Sequence, residues 1–262
     1  MELHILEGRS TEGMAQFGCI WPKGELHCKD AVKAVTKDGK RIPVQSRVTA
    51  YYKDGSIKWT AHTAEAKELG KCFNVEQLES QEQEAAAKNT IRITEQKNGF
   101  LVETDRISFL AESSGEKLIS NYGIDGICRL SSLTSVLKLE RRKEEGEEFL
   151  SSVTQLTGRI QSVTAEETGP LRAVLRFEGI HQNDMETKIP FVLRLLVGAY
   201  DCRLDLQYTF EYDGCEETDL LKGIGLKAVF PAGGAIYNRH LRFLGEYGKS
   251  SDLETQNSVR AL

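Results

Sequence analysis

Two Asp-Gly pairs, Asp38-Gly39 and Asp54-Gly55, punctuate runs that alternate apolar and polar residues, and this constrains the fold more than any other feature. Asp-Gly tolerates the positive φ that tight hairpin turns require. Val32 to Val35 lead into the first turn, Ile42 to Tyr52 join it to the second, and Ile57-Lys58-Trp59-Thr60-Ala61 follow. The spacing predicts a three-strand meander. Pro43 cannot donate to a strand ladder, so it is expected at a strand start or an edge. Ile57 and Trp59 lie two residues apart, which places both on one face and predicts that both point inward.

The same period returns further along the chain. Ile91 to Glu95 and Phe100 to Glu103 flank Asn98-Gly99, another hairpin signal. Leu171 to Glu178 alternate strictly. Leu204, Leu206, Tyr208 and Phe210 share one face of a strand whose other face carries Asp205, Gln207, Thr209 and Glu211. The charged run from Glu140 to Glu148 reads as a solvated loop or hairpin tip. Between the two β-rich parts, Glu76 to Lys88 is polar and has little to bury. The expected division is 1–75, a linker at 76–89, and 90–262. Long antiparallel strands with few helices predict an all-β chain whose larger part is an antiparallel β-sandwich.

Charge and cysteine usage narrow the function classes. With 34 Lys+Arg against 39 Asp+Glu, the formal net charge is -5, and without a basic stripe a nucleic-acid partner is not expected. No stretch approaches the roughly 18 apolar residues of a membrane span, and the run from Phe191 to Tyr200 is broken by Arg194. No membrane partner is expected. The first residues lack the basic start and apolar stretch of a signal peptide, so the simplest location is cytoplasmic. The six cysteines form no C-x-x-C and are expected to be unpaired thiols in a reducing compartment.

Motifs for chemistry are scarce. Gly223-Ile224-Gly225 lacks the third glycine of a dinucleotide fingerprint and reads as strand, and Pro231-Ala232-Gly233-Gly234 is a turn without G-K-S/T. The five histidines show no metal-site spacing, and no G-x-S-x-G elbow is present. Neither a metal, a cofactor nor a self-contained catalytic residue is expected. Trp21 is a candidate sugar-stacking aromatic, as is Trp59, although core packing is the stronger expectation for both. Tyr237-Asn238-Arg239-His240 gathers a hydroxyl, an amide, a guanidinium and an imidazole after a glycine turn, which suits either a carboxylate-bearing ligand or a structural or interface role. In extended chain, Asn238 and His240 share one face while Tyr237 and Arg239 share the other, so all four converge only if the backbone turns.

Three motifs in order, Trp21-Pro22-Lys23-Gly24-Glu25-Leu26, Pro43-Val44-Gln45-Ser46-Arg47-Val48 and Tyr51-x-x-Asp54-Gly55-Ser56-Ile57-Lys58-Trp59, resemble the N-terminal RIFT-type barrel of exo-rhamnogalacturonan lyase and YetA-like proteins. Gly169-Pro170-Leu171-Arg172-Ala173-Val174 and Tyr237 to Phe243 resemble the central β-sandwich of that family. The resemblance implies a small N-terminal β-barrel followed by a large antiparallel β-sandwich. It also implies a third region, a C-terminal α/α toroid, in which most of the catalytic machinery sits. The chain is therefore expected to be the front of a longer pectin lyase. It would scaffold the toroid as its partner and contact a rhamnogalacturonan-type oligosaccharide.

β-Elimination beside a uronate needs a neutralised carboxylate, a base at the α carbon and a proton donor for the leaving oxygen. Arg239 and His240 would line at most one wall of such a cleft. A second reading is a free-standing carbohydrate-binding or structural β protein. A third is a mutarotase-like sugar epimerase, which requires a His and an acid facing each other across one concave sheet, and His181 and Glu178 are too local to supply it. A sandwich that packs on a toroid is expected to expose an apolar patch.

Overall fold

The computed structural model describes residues 1–5, 12–79, 85–88, 90–145, 148–182, 188–215, 217–233, 241–244 and 250–253. Its first part comprises β1 (Glu2–His4), β2 (Met14–Ile20), β3 (Val32–Thr36), β4 (Arg41–Ile42), β5 (Gln45–Tyr51), β6 (Ile57–Glu65), the short helix α1 (Ala66–Leu69) and β7 (Cys72–Gln77). These strands form two antiparallel sheets, ordered β1-β7-β3-β4 and β2-β6-β5. Alternation turns one face of each sheet onto a shared core that includes Cys19, Ala34, Ile42, Ala64, Phe73 and Val75. Phe17 from one sheet meets Phe73 from the other edge to face, with ring centroids 5.0 Å apart.

The expected meander is divided. β3 and β4 form one hairpin and β5 and β6 another, but they belong to different sheets. The break falls at Pro43-Val44, where the missing Pro43 N–H makes a continuous ladder costly. Asp38-Gly39 and Asp54-Gly55 both turn as read, with Gly39 at φ 84° and Gly55 at φ 86°.

The second part carries β8 (Arg92–Gln96), β9 (Gly99–Glu103), β10 (Ile107–Glu112), β11 (Lys117–Ile124), β12 (Ile127–Glu145), β13 (Glu148–Glu167), β14 (Arg172–Gln182), β15 (Lys188–Gly198), β16 (Leu204–Phe210) and β17 (Asp219–Val229). A separate pair, β18 (Leu241–Leu244) and β19 (Ser250–Leu253), follows. The long hairpin of β12 and β13 organises the rest. β12 pairs with β11 through Ile127–Thr134 and with β13 through Val136–Glu145, and β17 runs along it from Ser132 to Arg141. β13 in turn passes from β12 to β14 beyond Thr157. One sheet thereby folds into two layers. Val102, Ile107, Phe109 and Ile119 on β9 to β11 bury against Ala173, Leu175, Phe177, Leu193 and Leu195 on β14 and β15. The charged run read as a solvated loop or tip lies toward the far end of this hairpin but is mostly strand: Glu140 to Glu145 belong to β12, and Glu140 is buried and paired with Arg142 and Lys222.

The all-β expectation holds, and no helix among the described residues is long and apolar enough to cross a membrane. The two parts are hydrogen-bonded to each other. Met14 N–H donates to Asp201 Oδ2 at 3.1 Å, and Gln45 bonds to the Leu171-Arg172 backbone.

Candidate functional site

The central strand β6 presents chemistry on both faces. Outward, Trp59 is 41% exposed and sits opposite Ile20 of β2, which is 44% exposed. This corrects the expectation that Trp59 packs inward with Ile57. Between the Val48–Thr60 and Tyr51–Ile57 pairs the ladder is irregular on both strands, Ala50 pairing with Trp59 while Thr49 and Lys58 are passed over. Strict alternation fails across this distortion, leaving Ile57 buried and Trp59 on the surface. Gly18 and Ala61 pair next to Ile20 and Trp59, and Arg47 pairs with Ala61 on the same face. The residues beside the indole on this face, Gly18 and Ala61, are small. Arg47 sits diagonal to Trp59 on this face. Its guanidinium is half-exposed and loosely paired, with Nε 3.8 Å from Glu167 Oε2.

Inward, β6 carries a buried polar chain. The Trp21 indole N–H donates to Thr60 Oγ1 at 2.8 Å, and Thr60 Oγ1 lies 2.7 Å from His62 Nε2. His62 Nδ1 reaches Ser46 Oγ at 2.8 Å. Burial of His62 pushes its pKa from 6.5 down to about 4, so it is neutral near pH 7 and holds Ser46 rather than carrying charge. Ser46 lines an open groove of about 490 Å3 together with Lys29, Asp30, Gln45 and Arg47. Trp59 does not line this groove; on the outward face, an aromatic ring beside a guanidinium can stack on and pair with a polar ring.

Residues 1–78 match the family model described as PcRGLX-like N-terminal RIFT barrel domain, and residues 91–257 match the PcRGLX-like protein central beta sandwich domain. The chain belongs to the PcRGLX-like proteins. It is 30% identical over 241 residues to the Uncharacterized protein YetA of Bacillus subtilis (strain 168), a match covering 91% of this chain. The chain spans 28% of that relative's length.

Within this PcRGLX-like chain the described residues singled out from sequence do not converge on one site. Trp21 is 8% exposed and part of the barrel core, so its ring offers no free face to a sugar. Tyr237, Asn238, Arg239 and His240 lie outside the described residues. His181 is buried in the sandwich, its ring centroid 4.7 Å from that of Phe191 and its Nε2 2.8 Å from Tyr208 Oη. Burial drives His181 from 6.5 to about 4 and Tyr208 up to about 12, so neither exchanges protons near neutrality. Glu178 is three residues from His181 on β14 and faces the other way, toward Ser162. This pair does not form the facing His and acid of an epimerase.

The structure also gathers groups that sequence spacing did not flag. Glu2 and His4 on β1 meet Cys72 on β7, 68 residues beyond His4. Their only sequence signal was an acid and an imidazole at strand spacing. All six thiols are free, five of them at least partly exposed.

Proposed function

We propose that this chain is the N-terminal β portion of a rhamnogalacturonan lyase-like protein, in which barrel and sandwich scaffold a catalytic α/α toroid and the β6 face contacts the oligosaccharide. The observation that carries the contact role is the outward Trp59, aligned with Ile20 and flanked diagonally by Arg47. A pyranose ring has an apolar face that suits the indole, and a uronate carboxylate suits the guanidinium. The domain family and a relative more than three times as long support the scaffold role. So does β17, where Ile224 and Leu226 continue the face that buries Leu137 and Ser135 yet are each 37% exposed. In this reading residues 76–89 link the two domains, and Arg239 and His240 line the cleft near the toroid. Free thiols accord with the cytoplasm.

The test is titration of the purified chain with a rhamnogalacturonan oligosaccharide, followed by indole fluorescence and calorimetry. Trp59→Ala and Arg47→Ala should each weaken binding about tenfold or more, the loss of one stacking or charge-assisted contact. Affinity unchanged in both variants would end the contact role. Equal binding of a neutral galactan would remove Arg47 from it. A second reading, a free-standing carbohydrate-binding protein, gains ground if the isolated chain binds as tightly as a longer form carrying the toroid.

A further inference from the structure

β1 and β7 pair antiparallel with His4 directly opposite Cys72, and Glu2 two residues along the same outer face of the barrel. Leu3 and Phe73 alternate inward, so Glu2, His4 and Cys72 turn together toward solvent. Cys72 Sγ donates to Glu2 Oε1 at 2.9 Å and lies 3.9 Å from His4 Nε2, while His4 Nε2 is 3.6 Å from Glu2 Oε1. We propose that Glu2, His4 and Cys72 form a site for one zinc-type divalent cation. Tetrahedral bonds of about 2.0–2.3 Å place their ligand atoms roughly 3.3–3.7 Å apart, and the three observed separations bracket that range.

The donor set points to the metal class. A carboxylate and a thiolate supply two negative charges and the imidazole a neutral nitrogen, which balances a divalent ion and favours borderline-soft zinc or cobalt over magnesium or calcium. On binding, the thiol proton now donated to Glu2 leaves to solvent and sulfur takes the metal in its place. Three protein ligands leave a fourth position for water. Lys37 competes, since its Nζ lies 3.5 Å from Glu2 Oε1, but its side chain is well exposed and can swing away. Placement on two neighbouring strands of one sheet holds the three backbone positions together before the metal arrives. The site is on the sheet opposite the Trp59 face and is independent of the glycan-contact reading.

Cobalt(II) titration of the reduced chain tests it. A thiolate-to-cobalt absorption band should rise and saturate at one equivalent, and zinc should abolish it. Cys72→Ser should eliminate the band. His4→Ala and Glu2→Gln should each weaken the apparent affinity by more than the roughly tenfold typical of losing an outer-shell partner. Lys37→Ala should tighten it. Far-ultraviolet circular dichroism of each variant separates loss of a ligand from loss of the fold. No band at micromolar protein overturns the proposal. So does an undiminished band in Cys72→Ser, which would assign the cobalt to an exposed thiol such as Cys28, Cys128 or Cys215.

Discussion

The Gln45 side chain pairs with the Arg172 peptide as a neighbouring strand would: Oε1 accepts the Arg172 N–H at 2.8 Å and Nε2 donates to its carbonyl at 2.9 Å. Oε1 also accepts the Leu171 N–H at 2.9 Å, and Nε2 reaches Glu167 Oε1 at 2.8 Å. One amide from the barrel therefore satisfies three backbone groups at the start of β14. Gln45→Ala should destabilise the chain by about 2 kcal/mol, since each bond contributes about 1 kcal/mol net and some orphaned groups regain water. Gln45→Glu should cost more, because it removes the donor and sets a second carboxylate beside Glu167. Urea unfolding of the three proteins checks the order.

Stability should fall as pH drops from 6.5 toward 4. Burial holds the folded-state pKa of His62 and His181 near 4, against 6.5 in model compounds. In that window the unfolded chain takes up protons that the folded chain refuses, and the equilibrium moves toward unfolding. His62 is enclosed by Thr60, Ser46 and Phe17, and His181 by Tyr208 and Phe191, with no carboxylate in these contacts to offset a charge. Each histidine contributes on the order of 1–3 kcal/mol to the change. Most of the drop between pH 6.5 and 5 precedes carboxylate protonation, so urea midpoints across that interval isolate it. A flat profile there would contradict the assigned burial.

The two tryptophans should separate cleanly. Trp21→Ala removes a core ring and the donor to Thr60, and should cost about 3–5 kcal/mol. Trp59→Ala should cost about 1 kcal/mol, because much of its ring already faces water. Acrylamide should quench the fluorescence of the Trp21→Phe variant, which retains only Trp59, far more than that of Trp59→Phe.

Two glycines at positive φ should respond differently to alanine. Gly99 has φ 140°, and a Cβ there would lie 1.9 Å from the Ala111 carbonyl oxygen across the β9–β10 ladder. Gly99→Ala should cost more than about 3 kcal/mol. Gly55 has φ 86° with open space around it, so Gly55→Ala should cost only the backbone strain, about 1–2 kcal/mol. Thermal melts rank the two.

Alternation and turn residues in the sequence specify that the described residues are mostly β and that tight turns fall at Asp38-Gly39, Asp54-Gly55 and Asn98-Gly99. Those are local matters: period-2 alternation and the positive φ of Asp-Gly act over a few residues. The sequence could not show that one meander serves two sheets, because sheet membership depends on which distant strand supplies the hydrogen bonds. Nor did it reveal that Trp59 faces out, since the irregular stretch where Trp59 pairs with Ala50 exists only in the ladder with β5. The meeting of Glu2 and His4 with Cys72, and of Gln45 with Arg172, was likewise decided by tertiary structure. Register between strands far apart in the chain is set by burying both sheets' apolar faces in one core, a condition on the whole barrel that no short segment expresses.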